Sequence, residues 1–278
     1  MSAFKLQFSI QYFLLLVLLI SFAITSSARG DTLTAQEVMV KVDDRYTGDT
    51  AIQDMTMILI DRQERQRVRQ TKGFTKEYGE DSKSISFFLS PADVKNTAFL
   101  SYEWDDADKE DDSWLYLPAL RKVKRIASSD KSGSFMGTDF TYSDIEGVDI
   151  DDYDYKFIKE SEMVDGHDTW VIESRPKKKI KKDVIKETGY LKSQLWIRKD
   201  IFMLVNGKFW VKKGKKIKYL TIPEIEKIDN IWTAKKMQMI TTKKGKKEHS
   251  TVLQVNSIQY NKPLDDDMFT TQRMERGL

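Results

Sequence analysis

The sequence predicts a mainly β (α+β) fold built as a long antiparallel meander, and three observations predict it. Thirteen short runs rich in β-branched and aromatic residues are separated by turn-forming or charged residues. Helical patterning is confined to the stretch before Gly48 and the stretch after Pro263. The pentapeptide Lys-Lys-Gly-Lys-Lys occurs at 212–216 and again at 243–247, each time between two strand-like runs, where glycine supplies the positive φ of a hairpin tip.

The chain opens with Lys5, an apolar core from Phe13 to Ile20 and small residues at Ser26-Ser27-Ala28, the pattern of a secretory leader. Its apolar stretch, Tyr12 to Ile24, falls short of the roughly 20 residues a spanning helix needs. The expected organisation is a cleaved signal over 1–28 and one domain over 29–278 that works in the periplasm. The chain has no second long apolar segment, and its mean hydropathy over all 278 residues is -0.52, so any membrane contact is peripheral. The absence of cysteine excludes disulfides, a thiol nucleophile and a lipid anchor, and export excludes nucleic acid as a partner.

Leu33, Val38, Val42 and Tyr46 suit an amphipathic helix capped by Thr34 or Thr32 and ended by Gly48. Six strands follow: Ile52 to Asp61, Gln66 to Tyr78, Ser84 to Ser90, Thr97 to Trp104, Ser113 to Leu117 and Lys122 to Ile126. Seven more run from Tyr153 to Glu160, Thr169 to Glu173, Tyr190 to Ile197, Met203 to Lys212, Lys216 to Ile222, Thr233 to Thr242 and Glu248 to Tyr260. Between the two sets, Ser134 to Ile145 is rich in glycine and aromatics, either a lid over a cavity or a loop filling a core. After them, Asp265-Asp-Asp starts a helix whose acids complement its positive end.

Residues that carry chemistry are sparse. His167 follows Asp165-Gly and His249 stands beside Lys247 and Glu248, both reading as solvated histidines, and no nucleophile with a base can be named. Asp149, Asp151 and Glu160 fit three positions of a calcium loop, but Tyr153 and Asp154 stand where a ligand and glycine belong. The acidic run Asp105 to Asp112 reads as a solvated loop. No catalytic residue, metal site or cofactor is expected.

Charge is polarised along the chain. Glu103 to Asp168 holds 19 acidic and 8 basic residues, whereas Lys177 to Ser250 holds 22 basic and 7 acidic. The basic candidates are Lys178, Lys179, Lys181 and Lys182, then Lys212, Lys213, Lys215 and Lys216, then Lys243, Lys244, Lys246 and Lys247. They form either a surface for anionic head groups or a partner, or a device that keeps a long sheet soluble and blocks edge pairing.

An antiparallel sheet of this length buries an apolar face larger than one helix covers, which leaves room for a cavity. Its candidate lining is Phe87, Leu89, Phe99, Trp114, Tyr116, Phe135, Met136, Phe140, Trp196, Trp210, Met237 and Met239. Period-2 alternation puts Trp114 and Tyr116 on one face and Leu115 and Leu117 on the other.

The run from Asp112 to Ile126, with its Trp-Leu-Tyr-Leu-Pro-Ala-Leu core, and the segment Ser134 to Ile145, with Phe-Met-Gly-Thr-Asp-Phe-Thr-Tyr, resemble the signature of periplasmic outer-membrane lipoprotein-sorting proteins. These are relatives of LolA and LolB, in a branch often encoded beside RND-type transporters; a late Asp-Asp-Met-Phe-Thr at 266–270 supports the likeness. The resemblance implies a curved antiparallel sheet forming an incomplete barrel, with helices covering its concave apolar side. It also implies a lipid or lipoprotein carrier or chaperone that shields acyl chains without a cofactor. The implied partners are a lipid or acylated lipoprotein, an RND-type inner-membrane transporter and an outer-membrane acceptor. The competing expectation is a non-carrier envelope or stress-sensing protein that docks a partner through its basic half.

Overall fold

The computed structural model describes residues 33–106 and 109–278, so the leader expected over 1–28 lies outside the described residues. Strands β1 (Thr50–Ile60), β2 (Gln66–Tyr78), β3 (Asp81–Ser90), β4 (Ala98–Glu103), β5 (Asp112–Leu117) and β6 (Lys122–Ile126) make the first meander. A second follows: β7 (Tyr153–Val164), β8 (His167–Pro176), β9 (Tyr190–Arg198), β10 (Met203–Val211), β11 (Lys216–Ile228), β12 (Ile231–Lys243) and β13 (Lys246–Tyr260). All pairs are antiparallel in one sheet of order β6-β5-β4-β3-β2-β1-β13-β12-β11-β10-β9-β8-β7. The two meanders join where β1 pairs with β13, Ile60 opposite Ser250, and the sheet stays open with β6 and β7 as its edges.

These strands coincide with the thirteen runs in the sequence. β11 continues past the expected Ile222 to Ile228 because its register shifts between Thr221 and Glu224, leaving Pro223, which has no N–H to give, outside the ladder. Both pentapeptides are hairpin tips: Lys244 and Gly245 take φ of 50° and 76° between the paired Lys243 and Lys246.

Helix α1 (Ala35–Asp43) starts as expected at Thr34, in a capping box with Glu37, and ends before Gly48. It packs on β7 and brings Lys41 over the Phe202 ring, which lies on Trp170. The sequence signals did not mark α2 (Tyr142–Glu146) or α3 (Lys181–Thr188), since α2 is barely one turn and α3 buries just Val184 and Thr188. At the C-terminus Asp265 precedes a 3₁₀ turn, Asp266–Phe269, and Thr270 caps α4 (Thr271–Arg276). No helix among the described residues is long and apolar enough to cross a membrane.

Two apolar clusters divide the faces. One gathers Met57 of β1, Phe88 of β3, Phe99 of β4, Leu115 of β5, Leu220 of β11, Met239 of β12 and Leu253 of β13 around Phe135 and Phe140. Strands so far apart in the order meet one segment only where the sheet curves around it, so this face is concave. On the opposite face of β2–β5, Phe74, Ile85, Phe87, Leu100 and Tyr116 are sealed by Phe269 and Met274 of the C-terminal segment.

Candidate functional site

The connection from β6 to β7 does not run around the molecule; it folds into the concave face. Residues 134–141 form a small hairpin in which Ser134 bridges Thr141 and the Phe135 amide donates to the Phe140 carbonyl at 2.8 Å. Met136 and Gly137 turn its tip with φ of 49° and 79°, a left-handed conformation that costs a side-chain-bearing residue free energy. Phe135, 1% exposed, packs against the rings of Phe99, Tyr142 and Phe88 at 5.2, 5.4 and 6.1 Å. Beneath it lie Met55, Met57, Met237 and Met239, whose flexible thioethers adapt to varied apolar shapes.

Polar pins hold this hairpin from both sides. From β2, the buried Arg69 donates to the Met136 carbonyl at 2.6 Å. From the other side, the buried Asp139 carboxylate accepts from Thr241 of β12 at 2.5 Å and Thr251 of β13 at 2.7 Å, and meets His249 Nδ1; its own amide donates to Thr251 at 2.9 Å. His249, its side chain 43% exposed, thus stays in contact with water while meeting Asp139, a partner its sequence neighbours do not suggest. Strand pairing sets Thr241 opposite His249 on the concave face, where Asp139 reaches both. The Asp139 bonds thereby tie the hairpin to β12 and β13.

The hairpin's exit is fixed by Thr141, which caps α2 in a box with Asp144. Asp144 also accepts from Tyr190 at 2.7 Å and lies 3.5 Å from the Lys218 ammonium. Burial raises Tyr190 well above the usual phenol range and lowers Lys218, which Asp144 only partly offsets. At the foot, Lys131 is 2% exposed and faces Glu146 at 2.7 Å, Glu187 at 3.6 Å and Asp111 at 3.7 Å. Burial lowers the lysine, but three carboxylates outweigh it and its proton is held more tightly; Glu146, itself buried and sharing one cation among three acids, is raised. This cluster ties both ends of the β6–β7 connection to α3 and to the loop before β5.

Beside the hairpin opens a cavity of about 640 Å³, lined by Ser134, Thr138, Asp139, Tyr190, Lys218 and His249 and by the basic Arg65, Arg67 and Lys216. The β1–β2, β10–β11 and β12–β13 tips and the β8–α3 connection lie at this end, since Ile60 pairs with Ser250 and Gln66 while Lys216 pairs with Lys243. The twelve lysine candidates thus gather at one end but differ in role. Lys212 donates to the Ile185 and Lys186 carbonyls at 3.0 Å, closing the negative end of α3. Lys216 meets Glu248 at 3.3 Å and Lys247 meets Glu64 at 2.9 Å. Lys178, Lys179, Lys181, Lys182, Lys213, Lys215, Lys243, Lys244 and Lys246 are exposed without a side-chain partner among the described residues.

Of the apolar candidates, the structure brings Phe99, Phe135, Met136, Phe140, Met237 and Met239 together on the concave face. Phe87, Trp114 and Tyr116 stand on the opposite face under the C-terminal segment, because Phe87 pairs with Ala98 and Ala98 with Tyr116. Leu89 is exposed. Trp196, hydrogen-bonded to Glu162 at 2.9 Å, and Trp210, beneath Lys192 and Lys208 at 4.4 and 4.7 Å, lie on the outer face. The sequence reading missed Arg69, Asp139, Thr241 and Thr251; the available signal was one carboxylate inside the run Phe-Met-Gly-Thr-Asp-Phe.

A family model described as "-like: Uncharacterized protein" matches residues 80–276. Among solved structures, a DUF1329 family protein from Desulfovibrio piger is 31% identical, covers 86% of this chain and 97% of its own, and superposes with a TM-score of 0.77. An outer membrane lipoprotein-sorting protein domain from Vibrio parahaemolyticus is also 31% identical, with 87% and 98% covered and a TM-score of 0.76. A LolA superfamily protein from Nitrosomonas europaea shares the fold at 18% identity, 87% and 99% coverage and a TM-score of 0.65. No curated protein matches.

Proposed function

From the premise that this chain belongs to the LolA-like family of the D. piger DUF1329 protein, we propose that it is a periplasmic carrier that shields the acyl chains of a lipid or lipoprotein on its concave face. The observation that carries this reading is the cover of that face. A methionine-rich apolar floor is closed by one hairpin, pinned by polar groups beside a 640 Å³ cavity. An acyl chain replaces Phe135 and Phe140 there, each buried methylene contributing about 0.8 kcal/mol. The hairpin then moves toward the cavity, and cargo that prefers the open state shifts the population to it. The donor and acceptor under this reading are membranes or membrane proteins, an RND-type transporter among them.

The tight packing of Phe135 and Phe140 favours a second reading, a sheet with a solid core that docks a partner and carries nothing. Expression of the full chain in the bacterial periplasm, purification without detergent, native mass spectrometry and lipid extraction separate the two. Stoichiometric phospholipid or acylated peptide supports the carrier. A clean apo mass that persists after incubation with envelope lipids refutes it.

A further inference from the structure

We infer that the end of the sheet where the three hairpin tips converge docks on an anionic lipid bilayer. The charge there is assembled from distant parts of the sequence. Arg62, Arg65 and Arg67 of the β1–β2 tip join the Lys-Lys-Gly-Lys-Lys tips of β10–β11 and β12–β13, which no linear charge run reveals. Local acids neutralise only part of it. Glu248 takes Arg62 and Lys216, Asp61 takes Arg65 at 2.7 Å, and Glu64 takes Lys247; Arg67 and the outer lysines of both tips have no partner among the described residues.

Two features argue against a purely structural origin. Lysines that block edge pairing belong on edge strands, yet β10 to β13 lie inside the sheet, whose edges are β6 and β7. Moreover, Lys216 pairs with Lys243 and Lys243 with Lys246, so three like charges stand in one row across β11, β12 and β13. Like charges directly opposite one another destabilise a ladder, and an anionic counter-surface relieves that repulsion.

The occupant we assign is a bilayer. The cations are mostly lysines, point charges on long flexible stems, spread over separate connections, which suits a diffuse field of head-group phosphates better than the fixed geometry of one protein partner. Arg65, Arg67 and Lys216 of this end also line the cavity, so docking brings the cavity beside the membrane. The inference stands whether or not the concave face holds lipid.

The test is co-sedimentation of the purified chain with phosphatidylcholine vesicles, with and without phosphatidylglycerol, across a salt series. Binding is expected only to the phosphatidylglycerol vesicles and is expected to weaken as salt rises. Changing Lys213, Lys215, Lys243, Lys244 and Lys246 together to Ser is expected to lower affinity on the order of a hundredfold or more, each lysine near such a surface being worth roughly fivefold. A control variant lacking Lys109, Lys199, Lys227, Lys235 and Lys262, which lie toward the opposite end of the strands, has the same net charge as the tip variant and is expected to bind as wild type does; unchanged circular dichroism confirms folding of both. Equal binding to neutral vesicles, wild-type binding by the tip variant, equal loss in the control or no vesicle binding at all would overturn the inference. Vesicle binding without co-purified lipid keeps it while refuting the carrier.

Discussion

Phe135 and Phe269 are each 1% exposed, and each anchors a segment that closes one face of the same sheet. The C-terminal segment closes the outer face of β2–β5 with Phe269, Met274 and Met268; Lys76 and Tyr78 bond Asp266, a carboxylate 73% exposed, at 2.7 and 2.8 Å, and the part-buried Tyr102 hydroxyl donates to the Phe269 carbonyl at 2.5 Å. The hairpin closes the concave face with Phe135 and Phe140, but its ties are interior, where Asp139, Thr241 and Thr251 are each no more than 3% exposed. The tie to an exposed carboxylate contributes little, so that seal rests on apolar burial and the bond from Tyr102. Interior ties beside a cavity present the opposite case. They are strong when satisfied, and water or a polar head group entering the cavity is able to replace them as the hairpin leaves. Under the proposed function the first seal is permanent and the second exchangeable.

The largest effect is expected at the foot of the hairpin. Lys131→Met leaves Glu146, Glu187 and Asp111 without their cation, a loss on the order of 3–5 kcal/mol for a broken buried pair. Urea unfolding measures it; a loss below 1 kcal/mol would mean that the cluster is already neutral and does not hold the connection.

Next comes the direct comparison of the two phenylalanines. Phe269→Ala is expected to cost about 3–5 kcal/mol, the usual penalty for a buried aromatic. Phe135→Ala is expected to cost less in global unfolding, because weakening an exchangeable seal beyond its own opening free energy only populates the open form. Equal losses by urea denaturation would break the distinction.

A smaller and more local effect is expected for Asp139→Asn, which keeps the side chain's size but removes the charge that Thr241, Thr251 and His249 face. Hydrogen exchange at amides 135–140 is expected to quicken by an amount corresponding to roughly 1–3 kcal/mol, with amides 264–274 unaffected. Unchanged protection would show that packing alone holds the hairpin.

Much of this comparison was legible in local pattern. The thirteen strands follow from β-branched periodicity, and alternation correctly divided Trp114 and Tyr116 from Leu115 and Leu117. Which division is concave depends on β1 pairing with β13, Ala51 opposite Tyr260, a contact between opposite ends of the domain that no window of sequence contains. The cavity candidates therefore mixed two faces. The pairing of His249 was not legible for the same reason, since its partner Asp139 is 110 residues away. The twelve lysines were recognised as a group by composition, but Lys212, buttoned onto α3, shows that composition does not distinguish a structural cation from a free one.

The smallest effect expected is a pH dependence that separates the two seals. Glu103, at the end of β4, lies against Gly147 where the chain leaves α2, and an added Cβ there would stand 3.6 Å from its carboxylate oxygen. The residue is exposed, yet the surroundings of its carboxyl push it up to about 7 through desolvation, opposed by a bond from Ser82 and reinforced by Asp111, Glu77 and Asp43. A carboxyl raised above its unfolded value of about 4.5 favours the folded state when protonated, so this contribution is full below that value and is lost as pH rises through about 7. The Tm is expected to fall across that window, with amides 135–140 exchanging faster at its upper end and amides 264–274 much less affected. Glu173 acts in a different window: bonds from Arg175 and Lys192 hold it near about 2, so its contribution is present above 4.5 and lost only in stronger acid. Glu103→Gln is expected to flatten the Tm profile between pH 4.5 and 7 and to remove the difference between the two sets of amides. A profile unchanged by the substitution would assign the slope to other raised acids such as Asp43, Glu77 and Glu146, and would detach the hairpin's exit from the protonation of this end of the sheet.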